Sequence, residues 1–198
     1  MKRLSLFENC IMKRFDKNLQ NLCQDFSCGN SDLDDFFKND AIKYSEDLMG
    51  KTYCWLTDTK PYKIVALVTL ANDSIKNNFL ERPTRNRINR SVANHKRGRS
   101  YPATLIGRLG VNVNYQGDHI GSQVIEFLKD WFCDDENKTG CRFLVVDAYN
   151  NEKTQHFYAK NGFKFLHRSE DEERRYYAIQ DSKPILTRLM FMDLIDNT

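Results

Sequence analysis

Residues 105–122, which read LIGRLGVNVNYQGDHIGS, decide the fold of this chain. The run over residues 103–113 is long and mostly apolar, which predicts a central β-strand. Two glycines then interrupt the pattern within residues 116–122, hereafter the glycine turn. From Ile120 onward apolar residues recur every three or four positions, a period typical of an amphipathic helix. The stretch therefore predicts a strand, a tight turn and a helix in succession.

The glycine turn has the chemistry of an anion site. A glycine-bearing turn between a strand and a helix presents several backbone N–H groups together at the positive end of the helix. The turn therefore predicts a site for a phosphate or diphosphate. A plain strand-to-helix connection also needs a glycine, so the turn alone leaves that structural alternative open.

The sequence on either side predicts further strands and helices. Near the N-terminus a turn leads into a helix that Asn30 or Ser31 caps, and an apolar stripe at helical spacing follows. The predicted strands lie at residues 52–57, 63–70, 143–146, 163–166 and 185–194, and another helix lies at residues 152–160. This order predicts one domain over residues 1–198 of the α/β class (α+β mixed sheet), with a central mixed sheet flanked by helices.

Composition excludes several classes of protein. Hydrophobic residues make up 40% of the 198 residues and charged residues 29%, so a packed core is expected. No run approaches the roughly 18 apolar residues that span a bilayer, and the N-terminus does not resemble a secretory signal. The six cysteines are spread along the chain without a Cys-x-x-Cys pair. We therefore expect a cytoplasmic protein with free thiols and no metal site.

Charge is concentrated in one place. Residues 82–99, hereafter the basic segment, contain seven Lys and Arg residues and no Asp or Glu. Since the chain carries a net charge of +3, the remainder carries −4. The segment predicts a loop insertion, either irregular or with a short helix, that binds a polyanion or is simply solvated. A mixed charge run at residues 170–175 predicts a solvated hairpin or loop.

Two blocks resemble a known family. Residues 105–121 resemble the central motif of the GNAT superfamily of N-acetyltransferases, and residues 146–163 resemble its second motif. The resemblance extends over most of the chain from about Thr52 onward. It implies the GNAT-like acyl-CoA N-acyltransferase fold, with acetyl-CoA as the acyl donor.

The resemblance also implies which residues bind the cofactor. In the family the turn reads Gln/Arg-x-x-Gly-x-Gly/Ala; Gln116 and Gly121 match its ends, but His119 occupies the middle glycine position. The His119 side chain would either crowd the phosphate or add a hydrogen bond to it. By resemblance, the cofactor-binding residues are Leu109, Gly110, Val111, Gln116, Gly117, Asp118, His119, Ile120, Gly121, Ser122 and Asn150.

Tyr158 is the candidate catalytic residue. A thiolate that leaves a thioester benefits from a nearby proton donor, and a phenol with a pKa of about 10 stays protonated at neutral pH. The family places a tyrosine at this position of its Phe-Tyr-x-x-x-Gly-Phe pattern. The structural alternative is an aromatic residue that packs a helix on the sheet. His156, on the same predicted helix, is a weaker candidate for a base.

The basicity of the acceptor amine helps to decide between a lysine side chain and an α-amine. At pH 7 a lysine amine is roughly 0.04% neutral, whereas an α-amine is roughly 14% neutral. A lysine acceptor therefore needs a general base far more than an α-amine does. The strand over residues 104–113 contains no carboxylate, which favours an α-amine.

A second resemblance points to one branch of the family. Residues 26–37 and 106–117 look like the corresponding parts of a branch that includes toxins encoded beside a ribbon-helix-helix antitoxin. Those toxins acetylate the α-amine of aminoacyl-tRNA, which the basic segment would contact. The expected partners are therefore aminoacyl-tRNA, such an antitoxin and, by resemblance, a second copy of the chain. The alternatives are a GNAT enzyme that acetylates a small-molecule amine or a protein N-terminus, and a CoA-binding module without turnover.

Overall fold

A computed structural model describes residues 4–94 and 97–196 of the chain. The strands are β1 (Cys10–Arg14), β2 (Lys51–Thr57), β3 (Ile64–Ile75), β4 (Tyr101–Val111), β5 (Phe143–Tyr149), β6 (Lys164–Phe165) and β7 (Thr187–Asp193). The α-helices are α1 (Leu6–Asn9), α2 (Lys17–Gln20), α3 (Ser31–Asp35), α4 (Ala41–Glu46), α5 (Arg82–Arg90), α6 (Ile120–Cys133), α7 (Glu152–Lys160) and α8 (Glu170–Tyr177). A π-helical turn, Phe36–Asp40, joins α3 to α4, and short 3₁₀ turns lie at Asn21–Cys23, Asn77–Phe79 and Val113–Tyr115.

The seven strands form one mixed sheet in the order β1-β2-β3-β4-β5-β7-β6. Strands β4 and β5 pair in parallel, and β7 pairs antiparallel with both β5 and β6. The predicted mixed sheet flanked by helices is thus confirmed. The edge strand β1 was not predicted, because its sequence CIMKR is short and mostly polar toward solvent.

The chain divides into two compact units, Met1–Ala71 with Ile106–Trp131 and Asn72–Leu105 with Phe132–Thr198. The single domain over residues 1–198 stays a prediction. In the first unit, Asn30 caps α3 by accepting from the amides of Asp32 and Leu33, as the sequence predicted. The core beneath this helix contains Phe15, Phe26, Phe36, Phe37, Leu56 and Leu67.

The second unit has its own core and contains α7. The helix has the predicted bounds, and it ends at Asn161 and Gly162, whose φ is +92°. This positive φ is the left-handed conformation that suits a glycine after a helix. The core of this unit contains Ile75, Leu80, Ile88, Tyr101, Phe143, Val145, Leu166 and Phe191.

The charge run at residues 170–175 is a helix, α8, and the prediction of a solvated hairpin or loop is wrong. Ser169 caps the helix by accepting from the Glu172 amide, and four acidic residues in the first turn suit its positive end. Glu173 is buried, since its carboxylate accepts from the Arg188 guanidinium and from the Leu189 amide. The sequence pattern predicts that the Glu173 carboxylate is solvated, but in the structure it is buried and its charge is compensated by Arg188.

The basic segment contains the nine-residue helix α5, so the part from Arg82 to Arg90 is not an irregular loop. Pro83 lies in the first turn, where its missing N–H costs nothing. Lys96 lies outside the described residues. Within the described part of the chain, no helix is both long enough and apolar enough to cross a bilayer.

Candidate active site

The glycine turn adopts a backbone that suits anion binding. It follows the 3₁₀ turn Val113–Tyr115 and leads into α6. Gly117 has a φ of +94° and His119 a φ of +61°. Left-handed residues within a turn direct successive N–H groups toward one side, which is the geometry of an anion-binding nest. His119 therefore keeps the backbone conformation of the glycine it replaces, at a cost of about 1 kcal/mol.

Space beside the glycine turn fits a diphosphate group. A Cβ atom added to Gly117 would meet no atom of the described residues within 4 Å, so the backbone borders open space there. The first N–H groups of α6 have no partner within the helix, and the helix dipole favours negative charge at this end. His119 is exposed, and its side chain is not packed against the core. These residues fit the diphosphate of acetyl-CoA.

The end of β4 is packed against the N-terminal region of the same unit. A Cβ atom on Gly110 would lie 3.0 Å from Phe37 and 3.3 Å from both Cys28 and Phe26, so a larger residue would require a shift. The Val113 amide donates to the Ser27 carbonyl over 2.8 Å. Residues 26–37, the segment that carries the second resemblance, therefore support the strand that leads into the glycine turn.

Gln116 has a structural role in this packing. Its Nε2 donates to the carbonyls of Cys28 (2.9 Å) and Val111 (3.0 Å). The side chain thus links the end of β4 to the turn that precedes α3. Contact of Gln116 and of Leu109, Gly110 and Val111 with the cofactor stays a prediction.

Asp34 holds the turn before α3 together. Its carboxylate accepts from the Ser27 hydroxyl (2.6 Å) and from the Cys28 amide (2.7 Å). Burial alone would raise the pKa of this carboxyl, but these two hydrogen bonds lower it below its usual value. Asp34 is therefore ionised at neutral pH and fixes the segment that packs on Gly110.

Tyr158 lies on α7 in the second unit and is 7% exposed. Its ring packs edge-to-face against Phe157 (5.0 Å between ring centroids) and Phe163 (5.3 Å). No described residue forms a hydrogen bond with its hydroxyl. Burial raises the pKa of this phenol well above its usual value, so the group is protonated at neutral pH. A neutral phenol with no competing partner can donate a proton to a departing thiolate.

Asn150, a predicted cofactor contact, is engaged within the second unit. Its Nδ2 donates to Glu170 and to the Ile185 carbonyl, each over 3.0 Å, and its Oδ1 accepts from Gln155 over 2.6 Å. Both donor hydrogens are therefore used to join the end of β5 to the segment before β7. An open cavity of about 370 Å³ lies beside it, lined by Asn150, Asn151, Glu152, Gln155, His156, Ala159 and Phe165.

The arginines of the basic segment differ in their availability. Arg87 donates to the carbonyls of Phe165 and Leu166, and Arg97 donates to the Asn89 carbonyl over 3.0 Å. Arg97 is nevertheless exposed, as are Arg99 and, at the two ends of α5, Arg82 and Arg90. Arg87 is only partly exposed, so it adds less to the surface that can meet a polyanion than these four arginines do.

Comparison with known families identifies the enzyme class. Residues 87–165 match the model of the acetyltransferase (GNAT) domain. This segment is thus similar to a GNAT acetyltransferase domain, and the chain is an N-acetyltransferase that uses acetyl-CoA as its donor. The predictions of fold, enzyme class and cofactor are confirmed, whereas the individual site residues stay predictions.

Solved structures with a similar fold include bacterial toxins. A tyrosine-to-phenylalanine mutant of KacT is 16% identical, with a TM-score of 0.71, and the match covers 96% of this chain and 97% of that one. AtaT complexed with acetyl-methionyl-tRNAfMet is 16% identical over the same shares, with a TM-score of 0.70. AtaTR bound with AcCoA is 18% identical over 96% of each chain, with a TM-score of 0.67. At this identity the likeness establishes the fold, and no curated protein matches the sequence.

Proposed function

We propose that this enzyme acetylates the α-amine of an aminoacyl-tRNA and acts as the toxin of a toxin-antitoxin pair. The observation that carries the proposal is the pair of exposed arginines on α5 in an acetyltransferase whose β4 contains no carboxylate. One fold neighbour, AtaT complexed with acetyl-methionyl-tRNAfMet, supports the same acceptor. Such an enzyme would work in the cytoplasm.

In this proposal the glycine turn binds the cofactor through its main chain. The amides of residues 116–122 bind the diphosphate, and the backbone of Leu109, Gly110 and Val111 pairs with the pantetheine arm. Acetyl-CoA supplies the acetyl group as an activated thioester. The conformation of Gly117 and His119 and the open space beside Gly117 support this role.

Tyr158 is the proposed proton donor. As the amine nitrogen forms its bond to the acetyl carbon, the carbon–sulfur bond breaks and the sulfur takes the phenol proton. The acceptor nitrogen loses a proton to water, from which the phenol is reprotonated. Two observations support this role: burial keeps the phenol protonated at neutral pH, and its hydroxyl has no hydrogen-bond partner among the described residues that would compete for the proton.

An α-amine suits this site better than a lysine amine. About a seventh of an α-amine is neutral at pH 7, so it can attack without a dedicated base. The arginines of α5 would neutralise phosphates of the tRNA and hold its charged end near the enzyme. The sequence of β4 contains no carboxylate that could serve a lysine acceptor as a general base.

A panel of acceptors tests the proposal. We would incubate the enzyme with labelled acetyl-CoA and with charged tRNA, uncharged tRNA, methionine methyl ester or lysine. The ester is a matched control, because it carries the same α-amine without the RNA. The expected result is acetylation of charged tRNA with a kcat/KM about 100-fold above that of the ester, because the phosphate contacts add binding energy that the ester lacks.

The same panel distinguishes the alternatives. Acetylation confined to free amines would refute the tRNA proposal and leave a small-molecule or protein N-terminal acetyltransferase. Tight binding of acetyl-CoA without transfer to any acceptor would leave a CoA-binding module.

The partners of the enzyme are part of the proposal. Another fold neighbour is an AtaT mutant toxin bound to the C-terminus of the antitoxin AtaR, which supports an antitoxin partner for this chain. We propose a ribbon-helix-helix antitoxin and a homodimer of the enzyme. Co-expression with the product of the adjacent gene, followed by size-exclusion chromatography with light scattering, measures both.

A further inference from the structure

Gln123, in the first turn of α6, links two parts of the first unit. Its Oε1 accepts from the Leu6 amide over 2.7 Å, and its Nε2 donates to the Asp118 carbonyl over 3.3 Å. The side chain therefore bridges the N-terminal segment and the glycine turn. No sequence motif singled it out, because the family pattern ends before this position.

The bond to Asp118 determines the direction of the next amide. The peptide between Asp118 and His119 is trans, since the one cis bond in the described chain is Lys60–Pro61. In a trans peptide the C=O and the N–H point in opposite directions. Because Gln123 holds the Asp118 carbonyl on its own side, the His119 N–H points away from Gln123.

The Leu6 amide, which donates to Gln123, is itself held in place. Leu6 is 2% exposed, so its amide is held by the packing of its side chain in the core. A second bond joins the same segments, since the Leu4 amide donates to the Asp118 carboxylate over 3.4 Å. The N-terminal segment thus fixes both the backbone and the side chain of Asp118.

We infer that Gln123 is a positioning residue for the cofactor, which holds the Asp118–His119 peptide in the orientation that presents the His119 N–H to the diphosphate. This inference rests on the proposed role of the glycine turn. Without the hydrogen bond from Gln123, the Asp118–His119 peptide can rotate so that His119 leaves its left-handed conformation. That conformation is intrinsically unfavourable for a residue with a Cβ atom. The loss should appear in cofactor affinity and leave the chemical step unchanged.

Binding of two donors tests the inference. Acetyl-CoA contains the diphosphate and the 3′-phosphoadenosine, and acetyl-pantetheine lacks both, so calorimetry with each separates the pantetheine contacts from those of the rest of the cofactor. We expect Gln123→Met, which has similar volume and no hydrogen bonds, to weaken acetyl-CoA binding about 10-fold. Acetyl-pantetheine affinity and kcat at saturating acetyl-CoA should be unchanged. Glu126→Ala, an exposed change on the same helix, is the matched control and should alter neither affinity.

A second variant keeps the test valid if Gln123→Met does not fold. Gln123→Glu retains the acceptor for the Leu6 amide but cannot donate to the Asp118 carbonyl. It should weaken acetyl-CoA binding at 0.5 M salt as well, where charge repulsion is largely screened.

The two possible failures are distinguishable. If the variants bind acetyl-CoA as the unmodified enzyme does, while that enzyme still prefers acetyl-CoA to acetyl-pantetheine, the role of Gln123 is refuted and the proposed turn stands. If the unmodified enzyme binds both donors equally, the turn itself does not recognise the diphosphate.

Discussion

The two compact units depend on different kinds of interaction. In the first unit, the candidate cofactor site is made of backbone: a turn with two left-handed residues and the start of a helix. In the second unit, individual side chains matter most, namely the buried Tyr158 phenol and the buried pair of Glu173 and Arg188. A backbone site tolerates substitutions that preserve its conformation, whereas a single substitution of a buried side chain removes an interaction that the rest of the site depends on. Single substitutions should therefore be more damaging in the second unit than at exposed positions of the glycine turn.

The largest effect is expected at Tyr158. Tyr158→Phe removes the proposed proton donor and should lower kcat about 10²- to 10⁴-fold. Stability should change little, because the hydroxyl has no hydrogen-bond partner among the described residues. Single-turnover acetyl transfer and thermal unfolding measure the two quantities. Tyr177→Phe is the control, since Tyr177 is another tyrosine of this unit and lies on α8, away from α7 in sequence. Equal losses in both variants would contradict a specific role for Tyr158.

The next largest effect is expected on the free energy of unfolding, at a residue with no proposed catalytic role. Glu173→Ala leaves the Arg188 guanidinium buried without its main partner and should lower the free energy of unfolding by about 3 kcal/mol. Urea unfolding measures this loss, and Asp171→Ala, an exposed change on α8, should stay within about 0.5 kcal/mol. The double variant Glu173→Leu with Arg188→Met should recover much of the loss. If Glu173→Ala is as stable as Asp171→Ala, the ion pair of Glu173 and Arg188 does not stabilise the fold.

A smaller effect separates the two kinds of arginine on α5. Arg82→Ala and Arg90→Ala should weaken tRNA binding, and each lost phosphate contact should lower the slope of log K against log salt by about 1. Arg87→Ala should instead destabilise the fold, because Arg87 donates to the carbonyls of Phe165 and Leu166. Filter binding at several salt concentrations provides the slopes. Identical slopes for the unmodified enzyme and the Arg82 and Arg90 variants would exclude α5 from the RNA surface.

The smallest effect is expected at the glycine turn. His119→Gly keeps the left-handed backbone, so the acetyl-CoA dissociation constant should stay within about threefold. His119→Val should weaken binding about 10-fold, because a β-branched residue disfavours a positive φ by about 1 kcal/mol or more. Calorimetry distinguishes the two. A loss in His119→Gly as large as in His119→Val would show that the imidazole, and not the backbone, contacts the cofactor.

The same difference explains what the sequence could predict. Strand β4, the glycine turn and α6 could be predicted from the period of the apolar residues and the spacing of the glycines. Backbone conformation restricts the residue types at each position, so it can be recognised in the sequence. Even His119, which departs from the family pattern, adopts the conformation of a glycine. Helix α7 was predicted at its observed bounds because Asn161 and Gly162 mark its end, and the structure adds the Asn151 cap at its start.

Interactions between residues that are far apart in the sequence could not be predicted, because they do not depend on a local pattern of residue types. The sequence around Glu173 reads as a solvated charge run, and only its pairing with Arg188, fifteen residues away, makes it part of the core. Gln123 and Leu6 are 117 positions apart, so no local pattern could connect them. The edge strand β1 was missed because pairing with β2, and not its own composition, makes it a strand.

The central claim is that the main chain of the glycine turn binds the diphosphate of acetyl-CoA. Amide chemical shifts of the enzyme, titrated separately with acetyl-CoA and acetyl-pantetheine, test it most directly. The account predicts that acetyl-CoA binds at least 100-fold more tightly and that the amides of Gly117, His119 and Gly121 shift only with acetyl-CoA. Equal affinities, with those amides unmoved by either donor, would contradict it.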